Sequence, residues 1–203
     1  MIFAVIPAAG KSVRMGRPKL LLPLGGRSVL EYTVGALREG GVSEVLVIVS
    51  PALPELARLA EQVGAKVLQL DADTADMRTT VQRGLDWLEQ RYSPASEDGW
   101  FLAPADHPAL EADVIQVLLQ TRAAHPERSI FIPTFDGKRG HPTLLTWGHV
   151  AGIRNWPAGE GLNTYLRAHA DDTELCPVGS PGILLDMDTP ADYERLRGAG
   201  LKD

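Results

Sequence analysis

Residues 2–24 read IFAVIPAAGKSVRMGRPKLLLPL, and this stretch decides the fold. Ile2 to Ile6 form a continuous apolar run, short enough for a strand buried on both faces rather than a helix. Pro7-Ala8-Ala9-Gly10 then turns the chain, and Lys11, Arg14, Arg17 and Lys19 follow closely. Backbone amides can approach phosphate oxygens only where no side chain intervenes, and Arg and Lys supply neutralising charge. The stretch therefore predicts a nucleoside-triphosphate site at the carboxyl end of the first strand.

Two familiar phosphate motifs are excluded. Gly10-Lys11-Ser12 matches the end of a Walker A loop, but that motif needs a small residue five positions before Gly10, where Val5 stands inside the strand. Gly10 and Gly16 are too far apart for G-x-G-x-x-G. Lys11 is thus left without a Walker role, and Arg14 and Lys19 become the principal candidate phosphate contacts.

Further along, Ser28-Val29-Leu30-Glu31 reads as a capping box opening a helix over about 29–38, which ends at Gly40-Gly41. A β-branched strand over 44–49, a helix over 54–63, a strand over 65–70 and a helix over 77–90 follow. After the polar loop RYSPASEDG come a strand over 100–104, a helix over 113–122 and a strand over 129–133. The remainder reads as a Gly-rich turn, FDGKRGHP, a short strand at 143–145 and helices near Trp147 and Leu162. Strands at 173–178 and 183–185 precede a last helix capped by Thr189, Pro190 and Asp192. Strands alternating with helices at this spacing indicate βαβ units, a parallel sheet and one α/β domain over 1–203, with ligands at the carboxyl ends of the strands.

The 203 residues suit one core, and 44% hydrophobic with 23% charged residues describes a globular chain. A net charge of −6 argues against nucleic acid as partner. The lone Cys176 excludes an intrachain disulfide and a cysteine-based zinc site. Without a secretory lead or an apolar run near the roughly 20 residues of a membrane span, a cytoplasmic location is expected.

Carboxylates supply the other half of the chemistry. Asp106 follows a buried strand and precedes His107-Pro108. An Asp-x-Pro aspartate is often a turn residue, but a strand-end carboxylate beside a phosphate-type loop is a natural Mg²⁺ ligand. Asp186 and Asp188 flank Met187, and on a strand both would share one face. Either can serve as a second ligand or as a helix cap. His141, in RGHP, reads as a turn residue.

Together these residues resemble the MobA-like nucleotidyltransferases, most closely the molybdenum cofactor cytidylyltransferases. The resemblance rests on AAGKSVRMGRPK at 8–19 with LLLPL at 20–24, ADHP at 105–108, GHP at 140–142, GEGLNTYL at 159–166 and DMDTPADY at 186–193. It implies a Rossmann-like three-layer α/β/α sandwich of the nucleotide-diphospho-sugar transferase type, with a mostly parallel sheet. The implied activity is Mg²⁺-dependent transfer of a nucleoside monophosphate from an NTP, CTP favoured, to a phosphorylated acceptor, molybdopterin favoured, with release of pyrophosphate.

By the same resemblance Ala8, Ala9, Gly10 and Ser12 would hold the nucleotide, together with Thr79 and Thr80. Arg14 and Lys19 would neutralise the triphosphate, Asp106 would bind Mg²⁺ and Asp188 would be its partner. A transient contact with a molybdoenzyme or its chaperone is implied too. One departure stands out: Met77-Arg78-Thr79-Thr80-Val81 replaces the usual Met-Ser-x-Ser-Leu, leaving base and acceptor open. A sugar-phosphate acceptor, or a non-catalytic carrier of nucleotide or cofactor, are the alternatives.

Overall fold

The computed structural model describes residues 1–198. The first strand, β1 (Ile2–Ala8), runs past the apolar run through Pro7 and Ala8 before the chain turns. It is an interior strand of the main sheet. A small antiparallel hairpin, β2 (Pro23–Leu24) and β3 (Arg27–Ser28), then leads into α1 (Val29–Glu39). The capping box forms: the Ser28 amide donates to Glu31 Oε2 at 2.6 Å, and the Glu31 amide to Ser28 Oγ at 3.3 Å.

The chain continues through β4 (Glu44–Val49), α2 (Pro54–Gln62), β5 (Lys66–Gln69), α3 (Met77–Tyr92), β6 (Gly99–Leu102) and α4 (Ala112–Ala124). It then enters β7 (Ile130–Phe135), β8 (Lys138–Arg139) and β9 (Thr143–Thr146). The final elements are α5 (His149–Arg154), α6 (Leu162–Ala168), β10 (Thr173–Pro177) and α7 (Pro190–Gly198).

The main sheet has the order β10-β7-β9-β6-β1-β4-β5, with β8 paired to β7. All main-path strands run parallel except β9, which is antiparallel to both β6 and β7. The expected strand at 183–185 does not form. Ser180 accepts from the Gly182 amide at 3.2 Å and Pro181 fixes its own φ, so residues 181–184 wind into a 3₁₀ turn instead.

Alternation along the central strands creates the layers. Ala4, Ile6 and Ala8 of β1 face α1, α2 and α4, whereas Phe3 and Val5 face α3, α5 and α6. Both faces are thus covered, as a parallel sheet requires. The result is a three-layer α/β/α sandwich. Helix α3 crosses the sheet closely at Gly84, where a Cβ would meet Ile48 Cδ1 at 2.4 Å. Among the described residues, no helix is long and apolar enough to cross a membrane.

Candidate active site

Because β1, β6, β7 and β10 run parallel, their carboxyl ends share one rim of the sheet. The loop after β1 starts there. Ser12 adopts the left-handed conformation, with φ 48° and ψ 38°, and its carbonyl accepts from the Met15 and Gly16 amides at 3.1 Å each. Its hydroxyl accepts from the Lys19 amide at 3.3 Å, bracing the loop across seven residues. Gly10 faces open space, with nothing within 4 Å of where a Cβ would stand, so its backbone is approachable.

Asp106 arrives from the end of β6. The Ala103 amide donates to the Val5 carbonyl at 3.1 Å, Thr33 Oγ1 to the Ala105 carbonyl at 3.2 Å, and the Met187 amide to the Asp106 carbonyl at 2.9 Å. That last bond brings residues 186–188 to the β6 end. Asp192, in the first turn of α7, then accepts from the amides of Asp188 and Thr189 at 3.3 and 2.9 Å.

Lys19 joins the two acidic segments. Its Nζ lies 2.5 Å from Asp106 Oδ2 and 2.8 Å from Asp188 Oδ1, and Arg14 donates to Asp188 Oδ2 at 2.7 Å. Burial alone would push the Lys19 pKa down, but the hydrogen bonds from its ammonium to the two carboxylates outweigh it and raise the value. Burial would raise Asp106; contacts with His107 and Lys19 instead hold its carboxyl well below the usual carboxylate range. Asp186 takes no part in these contacts. Of the two carboxylates left open by the sequence, Asp188 is the one that reaches Lys19 and Arg14.

Ala8, Gly10, Ser12, Arg14, Lys19, Asp106 and Asp188 line one cavity of about 320 Å³. Ala9 and Thr80 line an adjoining hollow that shares Pro7, Gly10, Lys11 and Met77 with the first. Thr80 is buried and its hydroxyl donates to the Asp76 carbonyl at 3.1 Å, within the start of α3. Thr79 lines neither hollow and opens onto a separate depression beside α3.

Arg78 does not intrude on the cavity. It donates to the carbonyls of Pro157 and Glu160 at 2.7 and 2.9 Å, clamping the α5–α6 loop to the start of α3. Two cavity neighbours escaped the sequence reading. Lys11 pairs with Asp73 at 3.0 Å, and Ser50 Oγ donates to the other Asp73 oxygen at 2.9 Å. The acidic run DADTAD at 71–76 was the available signal, but its pairing with Lys11 spans 62 positions.

Among the described residues, no three His, Cys, Asp or Glu side chains group closely enough to hold a metal by themselves. Two carboxylates sharing one cation nevertheless suit Mg²⁺, which takes one or two protein carboxylates and fills its shell with phosphate and water. Oxygen donors beside a phosphate-type loop fit such an ion, and Asp106 and Asp188 are the side chains that could hold it.

The MobA-like NTP transferase domain matches residues 4–173. A probable molybdenum cofactor guanylyltransferase from Halalkalibacterium halodurans is 29% identical over 142 residues, covering 66% of this chain and 64% of the relative. The aligned regions span 20% and 30% of the lengths of the next two curated relatives. Among solved structures, the Rv0371c homologue from Mycobacterium sp. strain JC1 superposes with a TM-score of 0.80 at 26% identity, covering 98% of this chain and 96% of that one. Rv0371c from Mycobacterium tuberculosis H37Rv in complex with manganese has a TM-score of 0.74 at 21% identity, covering 98% of each chain.

Proposed function

The chain belongs to the MobA-like NTP transferase family, and from that membership we propose that the whole chain, as one domain, transfers a nucleoside monophosphate from an NTP to a phosphorylated acceptor. CTP is the favoured donor and molybdopterin the favoured acceptor, in the cytoplasm. The carrying observation is the Lys19 ammonium shared by Asp106 and Asp188 inside the β1-loop cavity.

The chemistry asks little covalent work of the protein. An oxygen of the acceptor phosphate forms a bond to the α-phosphorus as the bond to the bridging oxygen of pyrophosphate breaks. No serine or cysteine nucleophile is required. The protein must hold the two phosphates in line and stabilise charge on the leaving group. Ala8, Ala9 and Gly10 would present backbone groups to the nucleotide, and Ser12 keeps that loop in shape. Arg14 and Lys19 would turn their charge from the carboxylates to the triphosphate. Mg²⁺ on Asp106 and Asp188 would polarise the phosphoryl oxygens. A solved relative bound to manganese supports a divalent ion here.

The test is a pyrophosphate-release screen of CTP, GTP, ATP and UTP against molybdopterin and several sugar phosphates with Mg²⁺. Release with one pair is expected, and a sugar phosphate as best acceptor would redirect the acceptor assignment. Silence across all pairs would overturn catalysis and favour a non-catalytic carrier.

A further inference from the structure

The turn FDGKRGHP has no part in the site described above. It forms the β7–β8 hairpin, with Asp136 and Gly137 in the left-handed region at φ 48° and 73°. The hairpin projects from the carboxyl end of β7, on the rim that carries Asp106. Its root is fixed: the Gly140 amide donates to the Pro133 carbonyl at 2.9 Å, and the His141 amide to the Ile183 carbonyl at 3.0 Å. A Cβ on Gly140 would stand 2.5 Å from that same Ile183 oxygen. The segment beginning at Ile183 is the one that bonds to Asp106 through Met187 and delivers Asp188. Hairpin root, acidic segment and β6 end therefore form one continuous ledge, and the His107 and His141 rings lie 5.3 Å apart across it.

At the outer end of this ledge stand Lys138 and Arg139, both exposed. Their electrostatic situation differs from that of the cations on the β1 side. Lys11, Arg14 and Lys19 are each held by a carboxylate, and the Arg17 guanidinium lies 5.6 Å from the Tyr193 ring centroid. Lys138 and Arg139 enter no ion pair among the described residues, in a chain of net charge −6. β9 pairs with Ile130 and Phe131 of β7 and β8 with Thr134 and Phe135, so the hairpin extends past β9 towards the rim where β6 ends. The hairpin and the segments carrying Asp106 and Asp188 therefore stand at the same rim.

We propose that Lys138 and Arg139 form an anion-recognition arm for the phosphorylated acceptor, facing the β1 loop that takes the NTP. This rests on the nucleotidyl-transfer reading and adds the acceptor's binding side to it. Arg139 offers the planar fork suited to phosphate and Lys138 a mobile point charge. The ligand class is a phosphate monoester on a small polar body.

The experiment titrates molybdopterin and a panel of sugar phosphates separately into the wild-type protein and into the Lys138→Ala/Arg139→Ala variant, with CTP and GTP titrated in parallel. Monoester affinity should fall roughly tenfold for each cation removed, while NTP affinity stays within about twofold. The Lys138→Arg/Arg139→Lys variant, which keeps the charge, should recover most of the binding. Added salt should weaken the wild type and barely affect the alanine variant. Equal monoester binding by wild type and alanine variant overturns the arm, and so does a wild type that binds NTP but none of the monoesters. A wild type that binds neither CTP nor GTP overturns the nucleotidyl-transfer reading beneath it.

Discussion

The Lys19 ammonium donates to Asp106 Oδ2 at 2.5 Å although the two residues are 87 positions apart, and its second bond reaches Asp188 at 2.8 Å. Removing it leaves two carboxylates facing each other without their cation. The three side chains are 14%, 21% and 23% exposed, so solvent screens part of the cost. Lys19→Ala should destabilise the protein by about 1–2 kcal/mol in urea unfolding, less than for a fully buried pair. Mg²⁺ should then raise the unfolding midpoint of the variant more than that of the wild type, because the released pair is free to bind it. An equal response in both would mean that the pair does not attract the ion.

Asp186 and Asp188 provide an internal comparison. Asp188→Asn weakens the contacts to both Lys19 and Arg14, whereas Asp186→Asn touches neither. Pyrophosphate release should drop at least about a hundredfold in the first variant and stay within about twofold in the second. The reverse order would exchange the two assignments.

The 3₁₀ turn that delivers the acidic segment depends on Gly182. A Cβ there would stand 1.9 Å from the Ala109 carbonyl oxygen and 2.8 Å from its carbon. Backbone cannot yield as a side-chain tip can, so Gly182→Ala should cost roughly 2–3 kcal/mol in urea unfolding. Gly179→Ala, with nothing within 4 Å of the new atom, is the control and should leave the midpoint nearly unchanged.

Acid should weaken the fold through its buried histidines. Burial, aided by the charge of His107 and partly opposed by Asp106, pushes His141 down to about 4, and burial with nearby His169 lowers His149 as well. The unfolded chain takes up these protons near pH 6.5 and the native one does not, so stability is full above pH 6.5 and falls as pH drops towards 4. His141 alone should account for about 2 kcal/mol between pH 7 and pH 5. His141→Gln should flatten that part of the profile in urea unfolding, and an unchanged slope would contradict the assignment.

Local chemistry made much of the fold legible. The Ser28–Glu31 capping box, the buried β1 run and the alternation of strand and helix all act within a few residues, and each appears where the sequence places it. The strand expected at 183–185 does not form, because the turn geometry of Ser180-Pro181-Gly182 prevails over the apolar run that follows. With no strand there, the shared-face argument for Asp186 and Asp188 lost its basis. Their difference comes from the Asp192 cap and the Met187 bond to Asp106, a contact across 81 positions. The antiparallel β9, the Lys11–Asp73 pair and the Arg78 clamp are long-range in the same sense. Proximity in space selects them, and no local pattern announces it.

The pairing of β1 with its neighbours has a mechanical consequence. β1 stays in register with β4 as far as Ala8↔Val49, but its pairing with β6 ends at Val5↔Leu102. The cleft is therefore a parting between two strands of one continuous sheet. Its walls are joined by a hydrogen-bonded ladder below, with no hinge between them. Most of the ordering that brings Lys19 and Asp106 together is completed during folding, so a nucleotide need not drive a rotation of one lobe against another to meet both. In such a frame, discrimination among ligands falls to the loops along the edge of the cleft.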